Sequence, residues 1–218
     1  MFKGIVFDSD GVLVDSMPYH AQAWVKVFED EGVYASEDEV YEIEGSNHKG
    51  VIDIFFEKDG RKADNDTYEE LLQKKRALFM ENNRAEPFVN MRECLQLLHS
   101  RYKLAVASGA DRKIVNSLIS RFYPDTFDVV ISGEDVNNGK PDPEPYLKAV
   151  DRLGLEKEEC LVVENAPLGV RSAKNAGLYC VAVATYIEPE KLSEADRVFA
   201  DHASLIDYLK GLTLSERE

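Results

Sequence analysis

The sequence predicts an α/β protein in which helices cover both faces of a parallel β-sheet and an α-helical segment is inserted after the first strand. Three observations support this prediction. An apolar run at residues 5–7 ends at Asp8, near the start of the chain. Residues 17–86 show helical periodicity and no strand pattern. From Pro87 onward, short apolar strands alternate with amphipathic helices, which is typical of parallel sheets.

Length, composition and charge limit the possible functions. The 218 residues, 44% of them hydrophobic, suffice for one large domain or for a core with a smaller insert. The chain has 26 Lys and Arg against 41 Asp and Glu, a net charge of −15. Because nucleic acids and anionic membranes are negatively charged as well, neither is an expected partner. An anionic substrate would have to be held by local cations.

The cysteines and the N-terminus indicate a cellular setting. Cys94, Cys160 and Cys180 are far apart and show no metal-ligand spacing, so we expect reduced thiols. The N-terminus has no apolar signal stretch, and no apolar run reaches membrane-spanning length. We therefore expect a cytoplasmic protein without membrane attachment, present as a monomer or a weak homo-oligomer.

The first strand leads into a pair of carboxylates. Asp8 and Asp10 are two residues apart, and Gly11 follows them, so the backbone can bend and present N–H groups to an anion. In metal-assisted phosphoryl transfer, one carboxylate attacks phosphorus and the other gives a proton to the leaving oxygen. Two carboxylates this close favour a bound cation, and Mg²⁺ is the expected one. A solvated Asp-rich turn is the alternative interpretation.

The inserted segment is predicted to contain four helices. Two capping-box patterns, Ser36-Glu37-Asp38-Glu39 and Thr67-Tyr68-Glu69-Glu70, predict helix starts. The run Lys74-Lys75-Arg76 is expected to form a solvated helix face. The predicted helices cover residues 19–31, a short stretch after 36, 51–57 and 67–82.

The second half of the chain supplies the remaining strands of the sheet and the helices that cover it. Strands are predicted at residues 104–107, 127–131, 161–163 and 181–184 and near 198. Helices are predicted at residues 91–101, 111–122, 145–153, 168–176 and 204–209.

Three of these strands are followed by polar clusters that suit phosphate or metal binding. Ser108-Gly109 precedes a helix, where a hydroxyl and free N–H groups can hold an anion. Lys140 is followed by Pro141 and Pro143, which fix the loop and aim a point charge suited to phosphate. Glu164-Asn165 offers hard oxygen ligands for Mg²⁺. Helix capping or a surface lysine would explain each cluster separately, but their order along the chain favours one shared site.

Together these segments resemble the four motifs of the haloacid dehalogenase superfamily, over nearly the whole chain. The matching segments are residues 7–16, Ser108-Gly109, Lys140-Pro141 and Val163-Glu164-Asn165. The helical insert resembles the four-helix cap of the branch that contains phosphatases and β-phosphoglucomutase. The resemblance implies a Rossmann-like core domain at residues 1–16 and 87–218 and a cap domain at residues 17–86.

The resemblance also implies catalytic and metal-binding roles. Asp8 would be the nucleophile that becomes phosphorylated, and Asp10 the general acid and then the base. Mg²⁺ would be bound by the Asp8 carboxylate, the Asp10 backbone carbonyl and Asn165, with Glu164 ligating the ion or orienting its waters. The family usually has two acidic residues at this motif, whereas this chain has Glu164-Asn165. The amide oxygen of Asn165 can coordinate a metal but brings no charge.

Phosphate binding is implied for four further positions. Ser108 and Lys140 would hold the phosphoryl oxygens, helped by backbone N–H groups near Gly11 and Gly109. The cap would close over the substrate and exclude water during the first step.

The resemblance favours a Mg²⁺-dependent phosphatase that hydrolyses a small phosphate monoester, such as a sugar phosphate, through an aspartyl-phosphate. Asp10 argues against dehalogenation. A β-phosphoglucomutase is the alternative within the family, but Asp111 follows the second motif, where the mutase binds a second phosphate, and would repel it. The alternative to an enzyme is a non-catalytic binding or regulatory protein with the same fold. In the cap, His20, His48 and Lys49 are candidate substrate contacts.

Overall fold

The structure, a computed structural model, describes residues 1–213. Six parallel strands form one sheet, and they comprise β1 (Gly4–Phe7), β2 (Lys103–Ala107), β3 (Val129–Ile131), β4 (Cys160–Glu164), β5 (Tyr179–Val183) and β6 (Arg197–Phe199). Their order across the sheet is β3-β2-β1-β4-β5-β6. The predicted α/β class is confirmed. Residues 214–218, the end of the predicted core segment, lie outside the described residues.

Nine α-helices among residues 1–213 surround this sheet or form the insert. The insert contains α1 (Met17–Asp30), α2 (Glu37–Glu42), α3 (His48–Lys58) and α4 (Asn65–Asn82). The sheet is flanked by α5 (Met91–His99), α6 (Arg112–Phe122), α7 (Glu144–Leu153), α8 (Pro167–Asn175) and α9 (His202–Leu212). Each predicted strand and helix is present, with ends shifted by a few residues.

One of the two predicted capping boxes is correct and one is wrong. Ser36 and Glu39 exchange side-chain and backbone hydrogen bonds at the start of α2. At α4 the cap is Asp64, whose carboxylate accepts hydrogen bonds from the N–H and hydroxyl of Thr67. The helix therefore begins two residues before Thr67, because a carboxylate upstream satisfies the first free N–H groups.

The sheet separates two apolar clusters. Ile5 and Phe7 on β1 pack on one side with α5, α6 and α9, whereas Val6 packs on the other side with α7 and α8. All three side chains are fully buried, as expected for a strand covered on both faces. The three cysteines are free and buried.

The helices of the insert share an apolar cluster of their own. Trp24 and Phe28 of α1 stack, and Phe28 contacts Phe55 of α3. This cluster lets four short helices bury an apolar face that none could bury alone. The division into a cap at residues 17–86 and a core remains a prediction.

The sheet order places a crevice at the end of β1. Strands β2 and β4 lie on either side of β1, so the connections leave in opposite directions from this point. In open α/β sheets, ligands bind at the carboxyl ends of the strands beside such a reversal. Among residues 1–213, no helix is both long enough and apolar enough to cross a membrane.

Candidate active site

The predicted motifs of the core meet at the carboxyl ends of β1, β2 and β4. Asp8 follows β1, Ser108 follows β2, and Glu164 ends β4. Lys140, from the loop before α7, reaches the same place and donates to Asp8 Oδ1 at 2.6 Å. All four side chains are buried. The parallel sheet brings them together because parallel strands end at one edge.

Lys140 is held between two carboxylates, and Glu164 is fully hydrogen-bonded. Lys140 Nζ lies 2.6 Å from Asp8 Oδ1 and 2.6 Å from Glu164 Oε1. Glu164 also accepts from the Tyr146 hydroxyl at 2.6 Å and from the N–H groups of Asn165 and Ala166. A carboxylate has about four acceptor positions, and donors take them all. Glu164 therefore anchors Lys140 in this arrangement, and its predicted role at a metal remains a prediction.

The charge balance around Asp8 calls for a further cation. Burial raises the pKa of Asp8 to about 8; Lys140 opposes this rise, and the nearby charges of Glu164 and Asp10 add to it. Burial alone would lower the pKa of Lys140, but Asp8 and Glu164 keep it above the ordinary value. The single ammonium group of Lys140 thus balances the charge of more than one buried carboxylate. A divalent cation would favour the ionised form of Asp8.

Asp10 is held by three side chains. Ser16 donates to its Oδ1 at 2.5 Å, and Ser108 donates to its Oδ2 at 3.2 Å. His20 Nε2 lies 3.0 Å from Oδ1. Burial by itself raises the pKa of Asp10, but His20, Ser16 and Lys75 more than offset it and lower the pKa below the usual value. Asp10 is therefore a carboxylate at neutral pH.

Lys75 fixes the orientation of His20, and its position corrects the predicted solvated face. Lys75 is only 4% exposed, and its Nζ lies 2.6 Å from His20 Nδ1. An amine can donate here in either charge state, so the other ring nitrogen carries the proton that points to Asp10. Burial lowers the pKa of His20 and lowers that of Lys75 to about 7. His20 lowers the pKa of Asp10 through its charge and through the hydrogen bond from its ring.

A cap residue that the sequence interpretation missed, Glu44, lies in the same site. It is 8% exposed, and its Oε2 accepts from Asn165 Nδ2 at 2.9 Å. Gly11, at φ +84°, leaves room for this pair, because a Cβ there would lie 2.2 Å from Asn165 Nδ2. The sequence held only an indirect signal for Glu44. Asn165 stands where the family has an acidic residue, so a carboxylate for the metal site could come from another part of the chain.

The residues present fit a divalent cation through mixed oxygen ligands. Asn165 Oδ1 and Glu44 Oε1 are buried and have no hydrogen-bond partner among the described residues. Hard oxygens of this kind suit Mg²⁺. Within residues 1–213, no cluster of three or more His, Cys, Asp or Glu forms a metal cage. A cation here would therefore depend on an amide oxygen and on a backbone carbonyl, as predicted for Asn165 and Asp10.

The loop between α2 and α3 packs directly on the core. A Cβ at Gly109 would lie 2.3 Å from the carbonyl oxygen of Gly45 and 2.7 Å from that of Ser46. A Cβ at Gly45 would lie 2.9 Å from Lys140 Cδ. Only glycines permit this approach. The cap loop therefore closes the chamber over Asp8.

The closed chamber is small and includes two of the three predicted cap contacts. Its volume is about 60 Å³, and His20 and His48 line it together with Asp8 and Asp10. His48 Nε2 is buried without a partner among the described residues. Lys49 instead lies 5.5 Å from the centre of the Tyr68 ring and faces a separate open groove.

Asp111 also lines the chamber, but it is paired with a cap cation. Arg76 of α4 donates a hydrogen bond from Nη2 to Asp111 Oδ2, and its side chain is 15% exposed. Arg76 therefore does not belong to a solvated face either. The carboxylate that was expected to repel a second phosphate is already bound by an arginine.

Comparisons with known proteins agree with this architecture. The model of the haloacid dehalogenase-like hydrolase family matches residues 5–183. The chain is 33% identical over 179 residues to a phosphorylated carbohydrates phosphatase of Thermotoga maritima, covering 81% of this chain and 82% of that protein. It is 30% identical over 207 residues to a validoxylamine A 7'-phosphate phosphatase of Streptomyces hygroscopicus subsp. limoneus, and the match covers 92% of this chain and 94% of that protein.

A solved structure extends the likeness to the whole fold. The structure of a Bacteroides vulgatus protein, named as a candidate β-phosphoglucomutase, superposes with a TM-score of 0.91 at 31% identity. The superposition covers 99% of this chain and 91% of that one.

Proposed function

Because the chain belongs to the haloacid dehalogenase-like hydrolase family and is a phosphoric monoester hydrolase, we propose that it is a Mg²⁺-dependent phosphatase that acts on a small phosphorylated metabolite through an aspartyl-phosphate on Asp8. The observation that carries this proposal is the pairing of Asp8, which lines the chamber together with Asp10, with the buried Lys140. This constellation has a nucleophile, a proton carrier and a cation for the phosphoryl group.

The first step transfers the phosphoryl group to the protein. A carboxylate oxygen of Asp8 forms a bond to phosphorus while the bond from phosphorus to the leaving oxygen breaks. Asp10, a carboxylate in the free enzyme, takes up a proton from solvent as the substrate binds and gives that proton to the leaving oxygen. Lys140 and Ser108 lie within reach to hold the phosphoryl oxygens, and backbone N–H groups near Gly109 can assist.

The second step regenerates the enzyme. Asp10 takes a proton from water, whose oxygen attacks phosphorus and releases phosphate and the Asp8 carboxylate. The chain Lys75–His20–Asp10 supports the ionised form of Asp10 that this step requires. His20 and Lys75 are positioning residues in this proposal, since they act through Asp10.

Four residues would hold the cation. They are Asp8 through its carboxylate, Asp10 through its backbone carbonyl, Asn165 through its amide oxygen and Glu44 from the cap loop. When bound, Mg²⁺ would neutralise charge on the phosphoryl oxygens and keep Asp8 ionised. Glu164 would act through Lys140, because its own oxygens are saturated.

The chamber supports a small leaving group. A cavity needs about 10–15 Å³ of this volume for each water, so about 60 Å³ holds on the order of five waters. A phosphoryl group with a few further heavy atoms fits this space, whereas a hexose phosphate requires the cap to open. Relatives named as phosphatases of fructose 1-phosphate and of hexitols support a metabolite of the sugar phosphate class.

The mutase remains a second candidate because of the likeness to the Bacteroides vulgatus structure. The pairing of Asp111 with Arg76 counts against it, since a mutase needs room for a second phosphate. The membership of a hydrolase family leaves the non-catalytic interpretation without support. A cytoplasmic location also remains a proposal, and free buried thiols are consistent with it.

The deciding experiment measures phosphate release with Mg²⁺ and with a chelator. The panel runs from acetyl phosphate and glycerol phosphates to hexose phosphates, and it includes β-glucose 1-phosphate with glucose 6-phosphate followed as a product. Metal-dependent release from small esters supports the proposal. Glucose 6-phosphate without free phosphate would establish the mutase instead.

A further inference from the structure

The N-terminus of α6 carries an anion of its own. Asp111 caps this helix: its Oδ1 accepts from the N–H of Lys113 at 2.8 Å and from that of Ile114 at 3.4 Å. Asp111 is 6% exposed and follows Ser108 by three residues, so it forms part of the chamber wall near Asp8. The positive end of the helix dipole is thus already neutralised by a side chain.

The counter-ion of Asp111 comes from the other side of the chamber. Arg76 of α4 binds Asp111 Oδ2 and lies 3.4 Å from Glu134 Oε1, which is more exposed. The Nε of Arg76 is buried and has no hydrogen-bond partner among the described residues. Arg76 is therefore a cap cation aimed at the core, with its Nε donor still unused.

We propose that the Asp111–Arg76 pair determines specificity by taking the place of a second phosphate. A helix N-terminus facing an arginine is an arrangement that binds phosphate. Here the Asp111 carboxylate fills it and bridges core and cap, as a second phosphate of a substrate would. This inference rests on the proposed function, since it concerns which phosphate esters the Asp8 chamber accepts.

Two consequences follow from the charges. A substrate with one phosphate leaves the Asp111–Arg76 ion pair intact, and this pair is screened little because Asp111 is buried and the Arg76 side chain is 15% exposed. A substrate with a second phosphate must either place that dianion beside Asp111 or separate the pair. Both are unfavourable, so bisphosphates are excluded.

The test compares substrates that differ only in the second phosphate. The probes are the monophosphates and bisphosphates of straight α,ω-alkanediols with three to six carbons. The ratio of kcat/KM for bisphosphate to that for monophosphate is measured in the natural protein and in Asp111→Ser, where serine preserves a helix cap. Asp201→Ser is the matched control, because Asp201 caps α9, far from Arg76, in the same way.

The expected result is a rise of about tenfold or more in this ratio for Asp111→Ser, with a loss of monophosphate turnover as the cap is held less tightly. The double variant Asp111→Ser/Arg76→Met should return the ratio towards the natural value, and Asp201→Ser should leave it unchanged. An unchanged ratio in Asp111→Ser, or a rise that is undiminished when Arg76 is also replaced, would overturn the proposal.

A binding measurement separates this inference from the proposed function. Trp24, the single tryptophan of the chain, lines the chamber, so its fluorescence can report titration with each bisphosphate without turnover. Absence of phosphate release in every protein would refute the proposed function alone. Tighter bisphosphate binding by Asp111→Ser than by the natural protein would still support the role of Asp111, and equal binding would refute it.

Discussion

The two walls of the chamber are built differently. The core wall consists of Asp8 and Glu164 at strand ends and of Lys140 from the loop before α7, and these side chains form a closed network with no spare acceptor on Glu164. The cap wall consists of side chains from α1, from the interior of α4 and from the loop before α3. It leaves Glu44 Oε1 and Arg76 Nε without partners among the described residues.

This difference indicates that the core wall and the cap wall have different roles. The core wall is preorganised, because burial and mutual hydrogen bonds fix its charges before any ligand arrives. The cap wall retains polar atoms without hydrogen-bond partners, Glu44 Oε1 and Arg76 Nε, at the places where it meets the core. Changes in the core wall should therefore affect chemistry and stability, whereas changes in the cap wall should affect metal affinity, specificity and pH dependence.

The largest effect is expected for Asp8→Asn. Loss of the nucleophile should lower phosphate release by at least about 10⁴-fold, while the isosteric amide preserves the fold. His20→Gln in the cap should cost less, on the order of 10- to 100-fold, because it acts through Asp10. Steady-state kinetics with a circular dichroism spectrum checks both variants. Turnover near the natural level in Asp8→Asn would rule out the aspartyl-phosphate.

The next effect concerns the stability of the core wall. Lys140→Met leaves two buried carboxylates without their cation, and breaking a buried pair typically costs about 3–5 kcal/mol. For a chain of this size we expect Tm to fall by roughly 6–20 °C. Lys174→Met is the control: its pair with Asp196 is partly exposed, so Tm should fall by a few degrees at most. Calorimetry without metal makes the comparison, and equal shifts would contradict it.

A smaller effect is expected where the walls meet at the cation site. Glu44→Gln should weaken Mn²⁺ binding about tenfold, measured by electron paramagnetic resonance in place of Mg²⁺. Asn165→Asp should tighten binding little by itself, because its new carboxylate would lie beside that of Glu44.

In the Glu44→Gln background, Asn165→Asp should tighten binding more, because one negative charge has been removed. This non-additivity is the signature of two residues that share one cation. Strictly additive effects would show that Glu44 does not belong to the metal site.

The smallest effect is a pH dependence from the cap wall. Burial lowers the pKa of Lys75 to about 7 in the folded protein, against 10.5 for a free lysine. Between these values the unfolded chain holds more protons, so this residue makes stability rise with pH from about 7 to 10.5. The Tm of the natural protein, relative to Lys75→Met, should therefore increase over this window.

Lys74→Met is the control for the pH dependence. Lys74 lies on the same helix but is half-exposed and paired with Glu31 and Glu70, which raise its pKa. Its replacement should change the slope of Tm against pH very little between pH 7 and 10. Parallel curves for the natural protein and Lys75→Met would show that Lys75 is not a buried titrating group.

The sequence by itself determined the fold class and the core wall. Apolar runs such as residues 5–7 must be strands covered on both faces, and parallel strands must end at one edge. Asp8, Asp10, Ser108, Lys140 and the pair Glu164-Asn165 were therefore predictable as neighbours from their positions after strands. Their assembly in one site depends on topology, which local sequence patterns encode.

The tertiary structure decided the cap wall. Lys74, Lys75 and Arg76 are consecutive and chemically alike, yet Lys74 pairs with surface carboxylates, Lys75 is buried against His20, and Arg76 binds Asp111. Successive residues of a helix point about 100° apart, so each meets a different neighbour. Which neighbour it meets depends on how the insert packs on the sheet. That packing joins residues far apart in sequence, and no local pattern in the chain specifies it.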